Sequence, residues 1–466
     1  MHNFDLNKNL IKLLFLSLFI FIWLSLDTNF ENIINFLEIK NFTTTIIFFR
    51  SIFPFIFFSI IIFFIIIKKQ KISILTKNKN INILLYLFYF YFLFQFINHL
   101  IVKNELITTY YFFVSIFLLI FFSYVINEKL IQISFFISTF FLILLFCIFG
   151  SLTIKYYLTS DDLNLYGTFP HVYESLFAVS TNVIRSSGLA RTSFILYIPL
   201  FLFLLINPIT KKKFLLLFLI SFMIFLSQSR LIMIYWLIFV FFSTFYFLRK
   251  KKIKIIIKKL LILAVLPFLI TGVVVVIKEQ VVKKNFTAEI VIFLDNKFNT
   301  KIEKKFKIGE KTINNNETSH VGPKIRIVDP LTFSSGRMKY WKQILEKNNR
   351  VWMGNGFLGD RFLIKNNASN IIFYTYASGG IISIFIIIFI LLRTFYTSLN
   401  LIFIKKINLN NNIILASSIF YLGLMVFRGT GENSFAIFSI DLIIFLQSLF
   451  ICEIEKSKIE KLKKNE

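Results

Sequence analysis

Runs of roughly 20 predominantly apolar residues, the length at which an α-helix crosses the hydrocarbon core of a bilayer, recur from one end of this sequence to the other. No soluble core could absorb them: the 466 residues are 57% hydrophobic and include 64 Phe. The runs place spans at residues 10–26, 45–67, 81–102, 107–126, 130–149, 193–209, 214–228, 231–248, 260–277, 371–392, 412–428 and 434–451. The first has a basic flank (Lys8, Lys12) but no small-residue cleavage site after it, and reads as a retained span.

Charge tests the number of spans, because short cytoplasmic connections collect Lys and Arg. Lys68 to Lys79, Lys211 to Lys213, Arg249 to Lys259, Lys405 to Lys406 and Lys456 to Lys464 all fall on the side that holds the N-terminus, whereas the loop from Asp27 to Thr45 is acidic. The expectation is an all-α polytopic membrane protein of about twelve transmembrane helices with both termini cytoplasmic. Five helices occupy residues 1–149, a first outer loop 150–192, four helices 193–277, a large outer loop 278–370, three helices 371–451 and a basic tail 452–466. The spans look smooth, without the midmembrane breaks common in transporters. The large loop is Lys-rich, which long loops tolerate on the outer side. Its first part alternates polar and apolar residues and has room for short strands. Later, Met338, Trp341, Ile344 and Leu345 recur at helical spacing within Ser335 to Asn348, predicting an amphipathic helix on the membrane surface.

The net charge of +28 is inflated by residues with A/T-rich codons and is no nucleic-acid footprint. Cys147 and Cys452 cannot build a disulfide framework. Arginines gather instead on the predicted outer face: Arg185, Arg191, Arg230, Arg337, Arg361 and Arg428. A guanidinium stays charged and grips phosphate oxygens in bidentate fashion, so such a group suits a lipid-linked phosphate or diphosphate. The simpler account is that each snorkels at the headgroup boundary. Asp441 falls within the last predicted span, where a charge costs about 2.5 kcal/mol or more unless paired; Arg428 and Arg50 are its candidate partners.

Four local patterns carry a family resemblance: Arg185-Ser-Ser-Gly188 before a span; Ser227-Gln-Ser-Arg230 opening another; Ser335-Gly-Arg337 leading to Trp341 and Gly354-Asn-Gly-Phe357; and Asn370 followed by Gly379-Gly380. Their order and spacing, over about residues 185 to 385, resemble the O-antigen polymerase and O-antigen ligase superfamily of bacterial inner membranes. The resemblance implies a metal-independent, cofactor-free glycosyltransferase whose donor is an undecaprenyl-diphosphate-linked glycan, with a chain-length regulator as a candidate partner. Carried over by position, Arg185, Arg230 and Arg337 would be catalytic, stabilising charge on the departing diphosphate. Arg191, Trp341, Arg361, Asn370 and Arg428 would bind substrate. Where ligases of this family resemble one another in a His-Asn pair, this chain reads Ser369-Asn370, and serine is no base at neutral pH. His320 and Glu432 are substitute catalytic bases, each with solvation as its simpler account, and His171 is a weaker one. The replaced pair favours a polymerase of lipid-linked repeat units over a ligase; a lipid-linked oligosaccharide flippase is the rival outside the enzymes.

Overall fold

The structure, a computed structural model, describes residues 78–102, 106–125, 186–226, 229–248, 253–278, 337–403, 412–433, 436–437 and 439–465, with isolated positions in 56–63, in 131–143 and at 280. Helices α1 (Lys79–Val102), α2 (Leu106–Val125), α3 (Ser186–Ile206), α4 (Lys211–Leu226) and α5 (Arg230–Leu248) are followed by α6 (Ile253–Leu260), which continues through a π-helical stretch, Leu261–Val265, to residue 278. Then come α7 (Arg337–Lys347), α8 (Gly359–Ile364), α9 (Ile371–Phe403), α10 (Ile413–Gly429) and α11 (Ile440–Asn465). No strand occurs among the described residues. The expected span at 10–26, most of those at 45–67 and 130–149, and the loop segments 150–185 and 281–336, the second with room for short strands, lie outside them.

Polarity is distributed as a bilayer requires. On α1, Ile81, Leu84, Phe88, Tyr91, Gln95 and Asn98 recur every three or four residues and are buried. The opposite face, with Tyr86, Phe90, Leu93 and Leu100, is equally apolar but exposed. On α9, Thr375, Ser378, Ser383, Thr394 and Thr397 point inward while Phe385, Phe389, Leu392 and Tyr396 point outward. A soluble helix would reverse this arrangement; helices in lipid turn polar groups to their neighbours. Four stretches, Asn80–Val102, Leu231–Leu248, Lys254–Lys278 and Ile371–Phe403, are long and apolar enough to cross a membrane. Tyr111–Ser123, Ala190–Ile206 and Ile413–Gly429 are shorter apolar helices. The described residues thus form an all-helical bundle with the helices of a membrane protein.

Helix α10 sits centrally, packed against α3, α5, α9 and α11, and α9 also packs against α1. The helices alternate in direction. One end of the bundle gathers the starts of α1, α4 and α10: there Asn78 donates to Ser457 of α11, and Lys259 donates to the carbonyls of Leu204, Leu205 and Asn207 at the end of α3. Lys211 to Lys213 and Lys456 to Lys464 lie at this lysine-rich end. The other end gathers the starts of α3, α5, α9 and α11 and the end of α10, together with α7 and α8.

Three sequence expectations change. The last helix runs on to Asn465, so the segment read as a tail continues α11. The face of α7 divides: Ile344 is buried and Trp341 stacks on Phe373, while Met338 and Leu345 are exposed. And α9 is not smooth. At Gly380 the backbone adopts φ 61°, ψ −161°, a conformation essentially confined to glycine. Residues 351–356 pack into the break. Asn355 N–H and Gly356 N–H donate to the carbonyls of Ala377 and Ser378, and Ile381 N–H donates to Val351 O, so the groups released by the break are taken up by the loop. A Cβ on Gly354 would lie 2.5 Å from Gly379 N, and one on Gly380 would overlap the Trp352 carbonyl.

Candidate functional site

At the end opposite the lysines, five charged side chains from four helices and one turn converge. Arg191 lies in the second turn of α3 and Arg428 in the last turn of α10. Gly429 ends α10 where a Cβ would come 2.9 Å from Ile371. The turn that follows is closed by Gly431 and Glu432 N–H groups donating to Arg428 O, which sets Glu432 back beside the guanidinium. Asp441 occupies the first turn of α11, where the helix dipole favours an anion. Arg337 begins α7.

The contacts form a closed square. Arg428 reaches Asp441 at 2.8 Å and Glu432 at 2.7 Å; Arg191 reaches Asp441 at 3.3 Å and Glu432 at 3.8 Å. Arg337 Nη1 donates to Gly431 O at 3.1 Å, and among the described residues no carboxylate lies within ion-pair distance of it. Three guanidiniums thus meet two carboxylates, leaving one surplus positive charge. Burial pushes the Glu432 carboxyl up, but Arg428 and Arg191, with Arg337 behind them, outweigh it and hold the group below its ordinary range.

Depth divides the roles these groups can take. Arg428 and Asp441 are 3% and 2% exposed, and the Tyr235 hydroxyl donates to the carbonyls of Phe427 and Arg428 behind them. Below Arg428 is a void of about 10 Å³ lined by Phe194, Tyr235, Tyr421 and Met425, room for a water and nothing larger. The open side of the cluster is the bundle end, where the Arg191 side chain is 22% exposed and Glu432 25%. Arg428 locks the cluster from inside, and Arg191 lies at its partly exposed edge.

The residues proposed from sequence distribute unevenly. Arg191, Arg337, Arg428 and Glu432 come together. Arg230 is the first residue of α5 at this same end, its side chain outside the described residues. Arg185, His320, His171 and Arg50 also lie outside them. Trp341 donates its indole N–H to Ala368 O at 2.7 Å and stacks on Phe373 at 4.9 Å. Asn370 caps α9, accepting from Ile372 and Phe373 N–H, and donates its amide to Thr430 O. Both hold the site's frame. Arg361 lies in α8, its N–H bound to the Asp360 carboxylate.

Sequence reasoning passed over Asp360, which is fully buried and accepts from the N–H groups of Arg361 and Ala368 at 2.9 and 2.8 Å. Burial pushes its carboxyl up, against the opposing pull of Arg361 and these amides. It passed over Asn433 too, whose side chain accepts from Asn370 N–H and donates to Asn367, tying the Glu432 turn to the start of α9. The available signal was the acid next to Arg361 in a glycine-rich stretch. No family model and no curated protein matches this sequence.

Proposed function

We propose that the protein joins lipid-linked oligosaccharide repeat units at the outer face of a bacterial inner membrane, as a polymerase of the O-antigen type. The observation that carries this reading is the meeting of Arg191, Arg337 and Arg428 with Glu432 at the end of the bundle opposite its lysine-rich end. With the lysines cytoplasmic, the arginine cluster faces outward. In the proposed reaction an acceptor hydroxyl attacks the anomeric carbon as the bond to the diphosphate oxygen breaks; the lipid diphosphate leaves with added negative charge, and the hydroxyl proton passes to water or to the departing diphosphate. Arg337 and Arg191, held before the substrate arrives, stabilise that charge without reorganising. Arg428 braces the turn. Glu432 acts as a counter-charge that fixes Arg191, since a carboxyl held low makes a weak base at neutral pH.

The break in α9 gives the flippase reading one supporting feature, because transporters often carry discontinuous helices. Gel analysis of surface glycan from a deletion strain separates the readings. A lost polymerase leaves single repeat units on the acceptor, a lost ligase leaves long chains unattached, and a lost flippase accumulates lipid-linked units in the cytoplasm. Complementation with Arg337→Ala should give no long chains, and Arg337→Lys, which keeps charge without the bidentate fork, should give few. A normal ladder from both variants at normal expression removes the residue from the mechanism.

A further inference from the structure

The segment read as a large outer loop ends in residues that pack between α1 and α9. Residues 351–356 run beside the last turns of α1: Asn98 donates its side-chain amide to Met353 O, and a Cβ on Gly356 would lie 2.6 Å from His99 Cα. The same segment lies along α9 at Ala377 to Ile381. At this level both helices present bare apolar surface outward, Leu100 of α1 at 57% exposure and Phe385 of α9 at 68%. Trp352 is 65% exposed beside them, and its neighbour Val351 is also exposed.

The main chain of this segment is paired at its glycine end and open at the end that carries Trp352. Val351 O accepts from Ile381 N–H and Met353 O from Asn98; the N–H groups of Gly354, Asn355 and Gly356 donate to Arg350, Ala377 and Ser378 carbonyls. The N–H groups of Val351, Trp352 and Met353 meet no acceptor among the described residues, so this end needs water or headgroups. In the hydrocarbon core each such group would cost several kcal/mol, whereas the boundary supplies partners. The exposed side chain is a tryptophan, whose apolar body and single N–H suit the boundary between headgroups and acyl chains. Arg350 immediately precedes the segment, a cation of the kind that pairs with lipid phosphates.

We propose that residues 351–356 form a lipid-contacting element, with Trp352 seated at the boundary between headgroups and acyl chains and continuous with the lipid-facing surface of α1 and α9. The outer loop is then part of the membrane domain at its C-terminal end, which fixes the depth of the break at Gly380 relative to the bilayer.

The test uses full-length protein in lipid nanodiscs and takes the Trp352 signal as the fluorescence difference between wild type and Trp352→Phe, which keeps an apolar ring. Phospholipids brominated near the carbonyl end of their chains should quench that difference strongly, those brominated near the methyl end less, and aqueous iodide hardly at all. Strong iodide quenching with none from bromolipids would overturn the proposal. So would strongest quenching from the deepest bromines, which would place the ring away from the boundary. A monodisperse gel-filtration profile for Trp352→Phe ensures that the difference reports position and not misfolding.

Discussion

Two neighbouring regions at one end of the bundle solve the same problem, keeping polar groups in order at the edge of a membrane, by opposite means. The square of Arg191, Arg428, Glu432 and Asp441 is built from side chains that satisfy one another. The junction between residues 351–356 and the break in α9 is built from backbone, with glycines allowing two chains to touch. Charge networks tolerate replacement when the books of charge still balance, whereas backbone contact tolerates no added atom. The largest predicted effect follows. Gly380→Ala forces a Cβ into the Trp352 carbonyl and puts alanine in a conformation open essentially to glycine; strain and overlap add, costing about 4–6 kcal/mol. Loss of the monodisperse species in gel filtration would show it; an unchanged melting temperature would mean the junction is not closed as described.

The charge square should yield next. Arg428→Met leaves Asp441 buried with its best partner gone and should cost about 3–5 kcal/mol, read as a lowered melting temperature. Adding Asp441→Leu should recover much of the loss, which no second change at the glycine junction could do for Gly380→Ala. Failure of the double variant to recover would erase the contrast between the two regions. Arg191→Met, at a partly exposed position, should cost about 1 kcal/mol or less in stability, since Arg428 still holds both carboxylates, and under the proposed polymerase function it should mainly shorten the glycan.

How legible these regions were follows from their construction. The described membrane helices were read from the length of apolar runs, and the alternation of lysines told one bundle end from the other, because both signals are local in sequence. Arg428 as a partner for Asp441 was accessible because an acid in an apolar helix demands a cation. That Arg191 would close the square on Glu432 was not: the two are far apart in sequence, and nothing around either names the other. Gly354-Asn-Gly-Phe357 and Gly379-Gly380 were noticed as separate patterns, yet their meaning is each other. A glycine records that something comes close without recording what, so the break in α9 was missed and its spans read as smooth. Asp360 and Asn433 went unremarked because polar residues in a loop look solvated until the fold covers them.

The smallest effect uses protons to address the two regions separately. Glu432 belongs to the square, and its carboxyl is held below the ordinary value of 4.5 in the folded protein. A depressed folded value means that the unfolded chain takes up the proton first as pH falls. The stability Glu432 contributes is therefore complete above about 4.5 and is lost as pH drops through the folded value. Asp360 underpins α8 beside the glycine junction, and burial raises its carboxyl above the ordinary 3.8. Its contribution has the opposite sign, complete below 3.8 and lost as pH rises through the raised folded value. Melting temperatures measured from acid to neutral pH should accordingly respond on different limbs: Glu432→Gln should flatten the acid limb, and Asp360→Asn the limb above it. Should both variants flatten the same limb, the two carboxyls share one electrostatic environment, and the square and the junction would have to be treated as a single region.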